Sequence, residues 1–556
     1  MKNKIATSPG HAIRRARLPA TCNHRCIALA TLALVHAVTL PLGAATITVN
    51  NTSDSGRGTL RQAIQNASSG DTINFSVTGV ITLTSGELLV ARNLSIVGPG
   101  AASLAVSGHT NSRVFEIGSN VTVSISGLTI RDGHAPDGVP SRKSGVNGGG
   151  IYNAGDLALT GCAVISNTAG NGFSLPSQPT TPGSTNATGG AGGHGGGIYN
   201  SGTLRLASCT VSSNTGGRGG RSWNSFASNV GGAGGLGGGL YNAGTSTLTD
   251  CTLSGNTGGV GGVGGFHLTF SHGFPSAGGT GGAGGGAYNA GVLTLIACTL
   301  GSNSAGAGGT GASGGQTGGT GGAGGSGGAI YNATNATAAT LHNSLAAPNQ
   351  AGAGGTGGTG SVNAGAPGTA GTGSDLCGTF TSQGHNLVGQ ADGSTGVTNG
   401  VNSDLAGSTA APLNPLLCPL QNNGGTTLTM ALLAGSPALD AGDDALLGPP
   451  FNISTDQRGL PRKSAAHVDI GAFESQTVLQ ATQAQSQIMT VTSLPNGQFR
   501  FAVVTAPGIT GRIEASSDLQ NWTTLTNFTS AADGTYKFTD RSALNLPQRF
   551  YRVVAP

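Results

Sequence analysis

One hexapeptide recurs through the middle of the chain and limits its fold more than any other feature. Gly148-Gly149-Gly150-Ile151-Tyr152-Asn153 returns at Gly195–Asn200, Gly237–Asn242, Gly284–Asn289 and Gly327–Asn332, with small changes at its third and fourth places. The tyrosines, Tyr152, Tyr199, Tyr241, Tyr288 and Tyr331, are 47, 42, 47 and 43 residues apart. A second block follows each motif. It runs Leu157-x-Leu159-x-x-Cys162-x-Val164-x-x-Asn167 and recurs around Cys209 with Asn214, Cys251 with Asn256, and Cys298 with Asn303. The fifth copy has Ser344 and Asn349. Self-similarity at such a period is the signature of a solenoid. Within a copy, Leu-x-Leu alternates with period two, so the pattern is that of strands. Three short strands separated by Ala154-Gly155 and Ser166-Asn167 predict one turn of a right-handed parallel β-helix. The leucines, valines and tyrosines are expected to stack inside, the cysteines to stack as reduced core residues, and Asn167, Asn214, Asn256 and Asn303 to stack at one corner.

A coil of this kind needs roughly half of each copy. The surplus lies between the asparagine and the next Gly-Gly-Gly, as in Thr317-Gly-Gly-Thr320-Gly-Gly-Ala323-Gly-Gly. About 70 of the 102 glycines fall between Gly145 and Ser374. These stretches read as insertions leaving one corner of successive coils, first of all as flexible loops. The sharper alternative is a set of packed polyproline-II-like strands, where only glycine permits the close approach. One coil per copy would place equivalent tyrosines ~4.8 Å apart.

Glycine at this level argues against a helical protein, and charged residues at 8% argue against a disordered polyampholyte. The first 45 residues hold six basic residues and no acid, with an apolar run from Ile27 to Leu40 and small residues at Gly43 and Ala45. Residues 1–45 therefore read as a signal peptide, and the protein as exported, extracellular or held at the cell surface. The remainder has 19 basic residues against 21 acidic ones, so a nucleic-acid partner is not expected. No later segment is apolar enough to cross a membrane, and a monomer is expected.

Residues 46–147 contain Thr59-Leu60-Arg61-Gln62-Ala63-Ile64-Gln65-Asn66-Ala67. Leu60, Ala63, Ile64 and Ala67 share a helical face, predicting a helix that caps the open core. With Leu94-Ser-Ile96-x-Gly98-Pro99-Gly100 and Ile125-Ser-Gly127-Leu-Thr-Ile130, this stretch resembles bacterial right-handed β-helix repeat proteins, including the passenger regions of polymorphic outer-membrane proteins. Residues 148–373 are the glycine-rich repeat coils. Residues 374–475 carry Gly384-His385-Asn386-Leu387-Val388-Gly389, Gly435-Ser436-Pro437-Ala438-Leu439-Asp440, Thr455-Asp456-Gln457-Arg458-Gly459 and Asp469-Ile470-Gly471-Ala472-Phe473-Glu474. This series resembles the choice-of-anchor Q domain, which implies terminal coils and an extracellular address. After a linker at 476–487, residues 488–556 show short alternating strands. Ser516-Ser-Asp518-Leu519-x-x-Trp522 resembles a small C-terminal β-sandwich of secreted proteins from verrucomicrobial-type bacteria.

Chemistry-bearing residues are sparse. Between Leu157 and Ser374 there is one acid, Asp250, with Arg205, Arg218 and Arg221 and no lysine. A carboxylate pair for acid–base work cannot be built on the central coils, so no catalytic residue and no organic cofactor is expected. Arg131, Asp132, His134 and Asp137 form a polar turn. Asp440, Asp443, Asp456 and Asp469 are a candidate calcium set, since hard carboxylate oxygens suit that ion, or else a structural network. Trp522 is a candidate for stacking on a sugar ring, or sandwich core. Cys377 and Cys418, 41 residues apart in an exported chain, are a candidate disulfide. The leading expectation is a non-enzymatic protein for adhesion or contact with extracellular matrix or polysaccharide. A carbohydrate-active enzyme (polysaccharide lyase or glycoside hydrolase) working at the polar ends, or a carbohydrate-binding protein, is the alternative.

Overall fold

A computed structural model describes residues 44–175, 188–222, 229–265, 276–314, 316–476, 487–493, 498–505, 508–531, 535–543 and 549–554. The expected signal peptide, apart from its last two residues, and most of the linker lie outside the described residues. Each repeat contributes three strands, such as Ile151–Asn153, Asp156–Thr160 and Ala163–Ile165. Equivalent strands pair in parallel from coil to coil, and three sheets of ten, nine and ten strands result. The first contains Asp156–Thr160, the second Ile151–Asn153 and the third Ala163–Ile165. The fold is a parallel β-helix. Tyr152 is in register with Tyr199, and Tyr241 with Tyr288, so one copy makes one coil.

The period-two pattern sets the core. Leu157 and Leu159 point inward beside Leu204 and Leu206, all at most 2% exposed. Thr59 caps the helix Leu60–Asn66 by accepting a hydrogen bond from the Gln62 amide. Its Leu60, Ala63 and Ile64 are buried in the same core, as the capping reading requires.

The corners are held by side-chain ladders. Asn256 Nδ2 donates to Asn303 Oδ1 at 2.9 Å and to the Val211 carbonyl at 2.8 Å. Asn256 Oδ1 accepts the Asn214 amide and Nδ2 at 3.1 and 2.9 Å. An amide suits this position because it donates and accepts at once. The ladder ends where Asn349 donates to Asp375, a group that needs only to accept. A second ladder, absent from the sequence reading, runs through Asn153, Asn200, Asn242, Asn289 and Asn332.

The tyrosines do not enter the core. The pattern within Ile-Tyr-Asn is buried, half-buried, buried, because Ile151 and Asn153 take the inward face and the pleat turns Tyr152 outward.

The glycine-rich insertions are not free loops. Each leaves its coil after the ladder asparagine as an outgoing arm and comes back as a return arm. Within an arm the hydrogen bonds repeat every third residue, the period of a polyproline-II helix. Gly234, Gly281 and Gly324 donate along the return layer to Thr280, Ala323 and Thr369 carbonyls. The second glycine of each triplet bonds between layers: Gly235 donates to Gly217, Gly259 to Gly235, and Gly282 to Gly259 at 2.7–2.8 Å. The third residue points out on a slab two layers thick. A Cβ at Gly279 would lie 2.0 Å from the Gly232 carbonyl oxygen, so this inner position accepts glycine alone. In the last return arm, Ala364, Pro367 and Ala370 stand where its neighbour has Gly318, Gly321 and Gly324, and all three are exposed. Proline and methyl groups close that edge.

The coils end near Leu405–Ala406. The rest of 374–475 is a strap along the outside of the third sheet rather than further coils. That sheet presents hydroxyls that need partners, and the strap supplies them. Thr252 donates to Gln457 Oε1 at 2.6 Å, Gln457 Nε2 donates to Thr210 at 3.0 Å, and the Ala472 amide donates to Thr299 at 2.9 Å. The C-terminal region has two three-stranded antiparallel sheets around Phe501, Val503, Ile513 and Phe528.

Candidate functional site

The second sheet carries one outward column that joins most of the unusual side chains. In register it reads Leu89, Glu116, Tyr152, Tyr199, Tyr241, Tyr288, Tyr331 and Cys377. The five tyrosine rings stack at centroid spacings of 5.1, 5.0, 5.2 and 5.2 Å, with planes within 11°. Burial and the neighbouring rings raise the phenols of Tyr199, Tyr241 and Tyr288, so these three are neutral over the physiological range.

At its N-terminal end, Arg113 lies over the Tyr152 ring at 5.2 Å. Its Nη1 meets Glu87 at 2.5 Å and Glu116 at 3.0 Å. Its other nitrogens donate to the Gly148 and Asn147 carbonyls. Partial burial raises the Glu87 carboxyl, and the nearby Glu116 adds to the shift. Sequence reading missed this carboxylate pair. Register alone does not signal it: Leu88 pairs with Phe115 and Leu89 with Glu116, so Glu87 is not at the position equivalent to Glu116, and the two carboxylates meet through Arg113.

Along its side the ladder meets the slab. The His194 ring stacks on Tyr241 at 4.9 Å, and its Nδ1 accepts the Leu236 amide at 3.0 Å. Burial pushes the imidazole down to about 4, so it is neutral. The described return arms, 188–194, 229–236, 276–283, 316–326 and 362–372, contain no Asp, Glu, Lys or Arg. The outgoing face carries Arg218 and Arg221, both exposed.

The four aspartates of the candidate calcium set are not gathered at one point. Asp440 and Asp469 are neighbours, the Asp440 amide donating to Asp469 Oδ1 at 2.7 Å. Asp443 pairs with His342 at 2.9 Å and Asp456 with Arg458 at 2.7 Å. Among the described residues, no group of three or more His, Cys, Asp or Glu side chains is placed to hold a metal ion. The structural network is substantial instead. Arg462 is fully buried 3.6 Å from Asp250 and donates to the Asp469 and Gly471 carbonyls. Arg458 lies 3.7 Å from the Phe473 ring centroid. In the polar turn, His134 pairs with Asp137, which also accepts the Asn171 amide of the next arm.

All six described cysteines are unbridged. Cys162, Cys209, Cys251 and Cys298 are fully buried in one column, each of the first two amides donating to the next sulfur at 3.4 Å. Burial and the neighbouring sulfurs raise the Cys251 thiol well above its ordinary value. The expected Cys377–Cys418 bridge is not formed. Cys377 extends the outward column of the second sheet, whereas Cys418 sits in the strap, its amide bonded to Ala431. Trp522 lies outside the sandwich core and is half-exposed, one face 4.2 Å from the Arg552 guanidinium, which is paired with Glu514.

A comparison with protein-family models finds none that matches this chain, and a comparison with curated proteins finds no match.

Proposed function

We propose that this is an exported, non-enzymatic contact protein, a β-helix rod that presents a broad face to extracellular material. One observation carries the reading: the glycine slab is hydrogen-bonded through its interior and exposes on its return face an uncharged array that includes alanine, threonine and valine side chains. Monomeric proteins rarely expose contiguous apolar patches of more than a few hundred Å² without a partner. Residues 374–475 act as a terminal module of the choice-of-anchor Q kind, and the C-terminal sandwich follows as a surface-directed domain. The Gln457 strap contacts support the first of these.

A second reading rests on Glu87, Glu116 and Arg113. Two neighbouring carboxylates, one raised, beside a cation and an aromatic ring are the elements of a carbohydrate-active site. Incubation of the chain from Thr46 onward with acidic and neutral polysaccharides separates the two. The contact reading expects no new reducing ends and no unsaturated products. New ends that vanish in Glu87→Gln would replace it with the enzyme. Retention without cleavage that disappears in Trp522→Ala would move sugar binding to the sandwich.

A further inference from the structure

We infer that the return face of the slab, together with the tyrosine ladder beside it, is a docking surface for a second copy of this chain. The proposal goes beyond the contact reading above and differs from the monomer that the sequence suggests.

Three features support a second copy as the occupant. The first is area. Five return arms at the 5.0–5.2 Å tyrosine repeat, each about 25 Å long at the polyproline-II rise, give about 600 Å². Paired with itself the face would bury about 1,200 Å², the lower bound of a stable interface, before the tyrosines are added. The second is composition. The face is free of charge and is continuous with half-exposed tyrosines through the His194–Tyr241 stack. Protein interfaces are depleted of charge at their centre and enriched in tyrosine. The opposite face carries Arg218 and Arg221 and would meet itself with like charges. The third is rigidity. Outward residues such as Val230, Ala233, Thr280 and Thr320 stand on arms whose inner glycines are bonded in two directions, so little ordering is lost on contact. Two such faces share one repeat, so the rows of one copy fall between the rows of the other.

The surface is isologous, residue meeting residue about a two-fold axis. It leaves the Glu87–Arg113–Glu116 cluster and the C-terminal sandwich outside the face itself.

The test is sedimentation equilibrium of the chain from Thr46 onward, over concentrations up to about 100 μM. A reversible dimer is expected. The double variant Ala233→Lys/Thr280→Lys adds charge at two exposed outward positions and should weaken the dimer about tenfold or more. Val260→Lys/Thr310→Lys, the equivalent change on the outgoing face, should leave it unchanged. Both variants should keep the parent's circular dichroism and melting curve, which separates lost docking from lost folding. A monomer throughout the range overturns the inference. So does a dimer that the outgoing-face variant breaks and the return-face variant does not. A monomer that instead pellets with an insoluble polysaccharide through this face also overturns it, while leaving the contact reading intact.

Discussion

Gly282→Ala isolates what glycine does in the slab. The added Cβ would lie 1.9 Å from the Gly235 carbonyl oxygen and 2.9 Å from the Gly259 nitrogen, where real Cβ atoms keep at least 3.0 Å. Both obstacles are backbone, so neither can rotate away. The return arm must move by about an ångström, chiefly away from the neighbouring return arm that carries Gly235. Gly282 sits in a run of interlayer bonds, Gly259 to Gly235 at 2.8 Å, Gly282 to Gly259 at 2.7 Å and Gly306 to Gly282 at 2.8 Å. Each contributes about 1 kcal/mol net, and more if left buried and unmade, so the loss should be about 2–4 kcal/mol. The control is Gly448→Ala, where φ is −108° and nothing lies within 4 Å of the new methyl. That change should be neutral or slightly stabilising, since alanine narrows the unfolded ensemble. Urea melts give the difference, and amide exchange of the arms shows whether the loss is local, as a solenoid allows. Equal stability of the two variants within about 0.5 kcal/mol would refute the packed-slab account.

Asn256→Leu should cost about 2–4 kcal/mol by leaving the Asn214 amide without its acceptor and by removing the side-chain donor from the Val211 carbonyl and from Asn303 Oδ1, which keeps only the backbone amide of residue 256; a melting point within a few degrees of the parent would argue against the ladder's weight. Thiol counting on the denatured, unreduced chain from Thr46 onward should find six free thiols, with Cys377 and Cys418 the fast-reacting pair in the native protein because the other four are fully buried; a count of four would restore the disulfide. Stability should fall between pH 5 and pH 9. Burial, aided by the Asp469 charge, pushes Glu474 from 4.5 to about 8, and burial takes Asp375 to about 6. Each raised carboxyl favours the folded state fully below its unfolded value, and that advantage is lost as pH rises through the folded one. The loss should be about 2–4 kcal/mol; a flat urea midpoint over this range would show that both carboxyls ionise freely.

The repeat made the coil legible because its period-two leucines, ladder asparagines and in-register tyrosines are local in each copy. The direction of the tyrosines was misjudged, since aromatic character suggested burial while the alternation Ile151, Tyr152, Asn153 already placed Tyr152 opposite Ile151. The insertions were harder. Gly-Gly-Thr is compatible with a loose linker and with a bonded arm, and only the neighbouring insertions supply the acceptors. The strap was read as more coils because its docking joins residues far apart, Gln457 with Thr210 and Thr252. The Glu87–Glu116 pair was not legible because the two carboxylates hold different register positions, Glu116 standing opposite Leu89, and they meet through Arg113.

The closed edge at Ala364, Pro367 and Ala370 has an implication for how such a molecule can change in length. Each inner arm is interchangeable, since it accepts from one neighbour and donates to the next by the same rule. A duplicated copy placed anywhere upstream would find partners on both sides. A copy added after the last arm would meet a proline that has no N–H to offer and methyl groups where glycine is required. The sequence of that arm therefore acts as a stop mark: the chain can lengthen from within, and its terminus stays where it is.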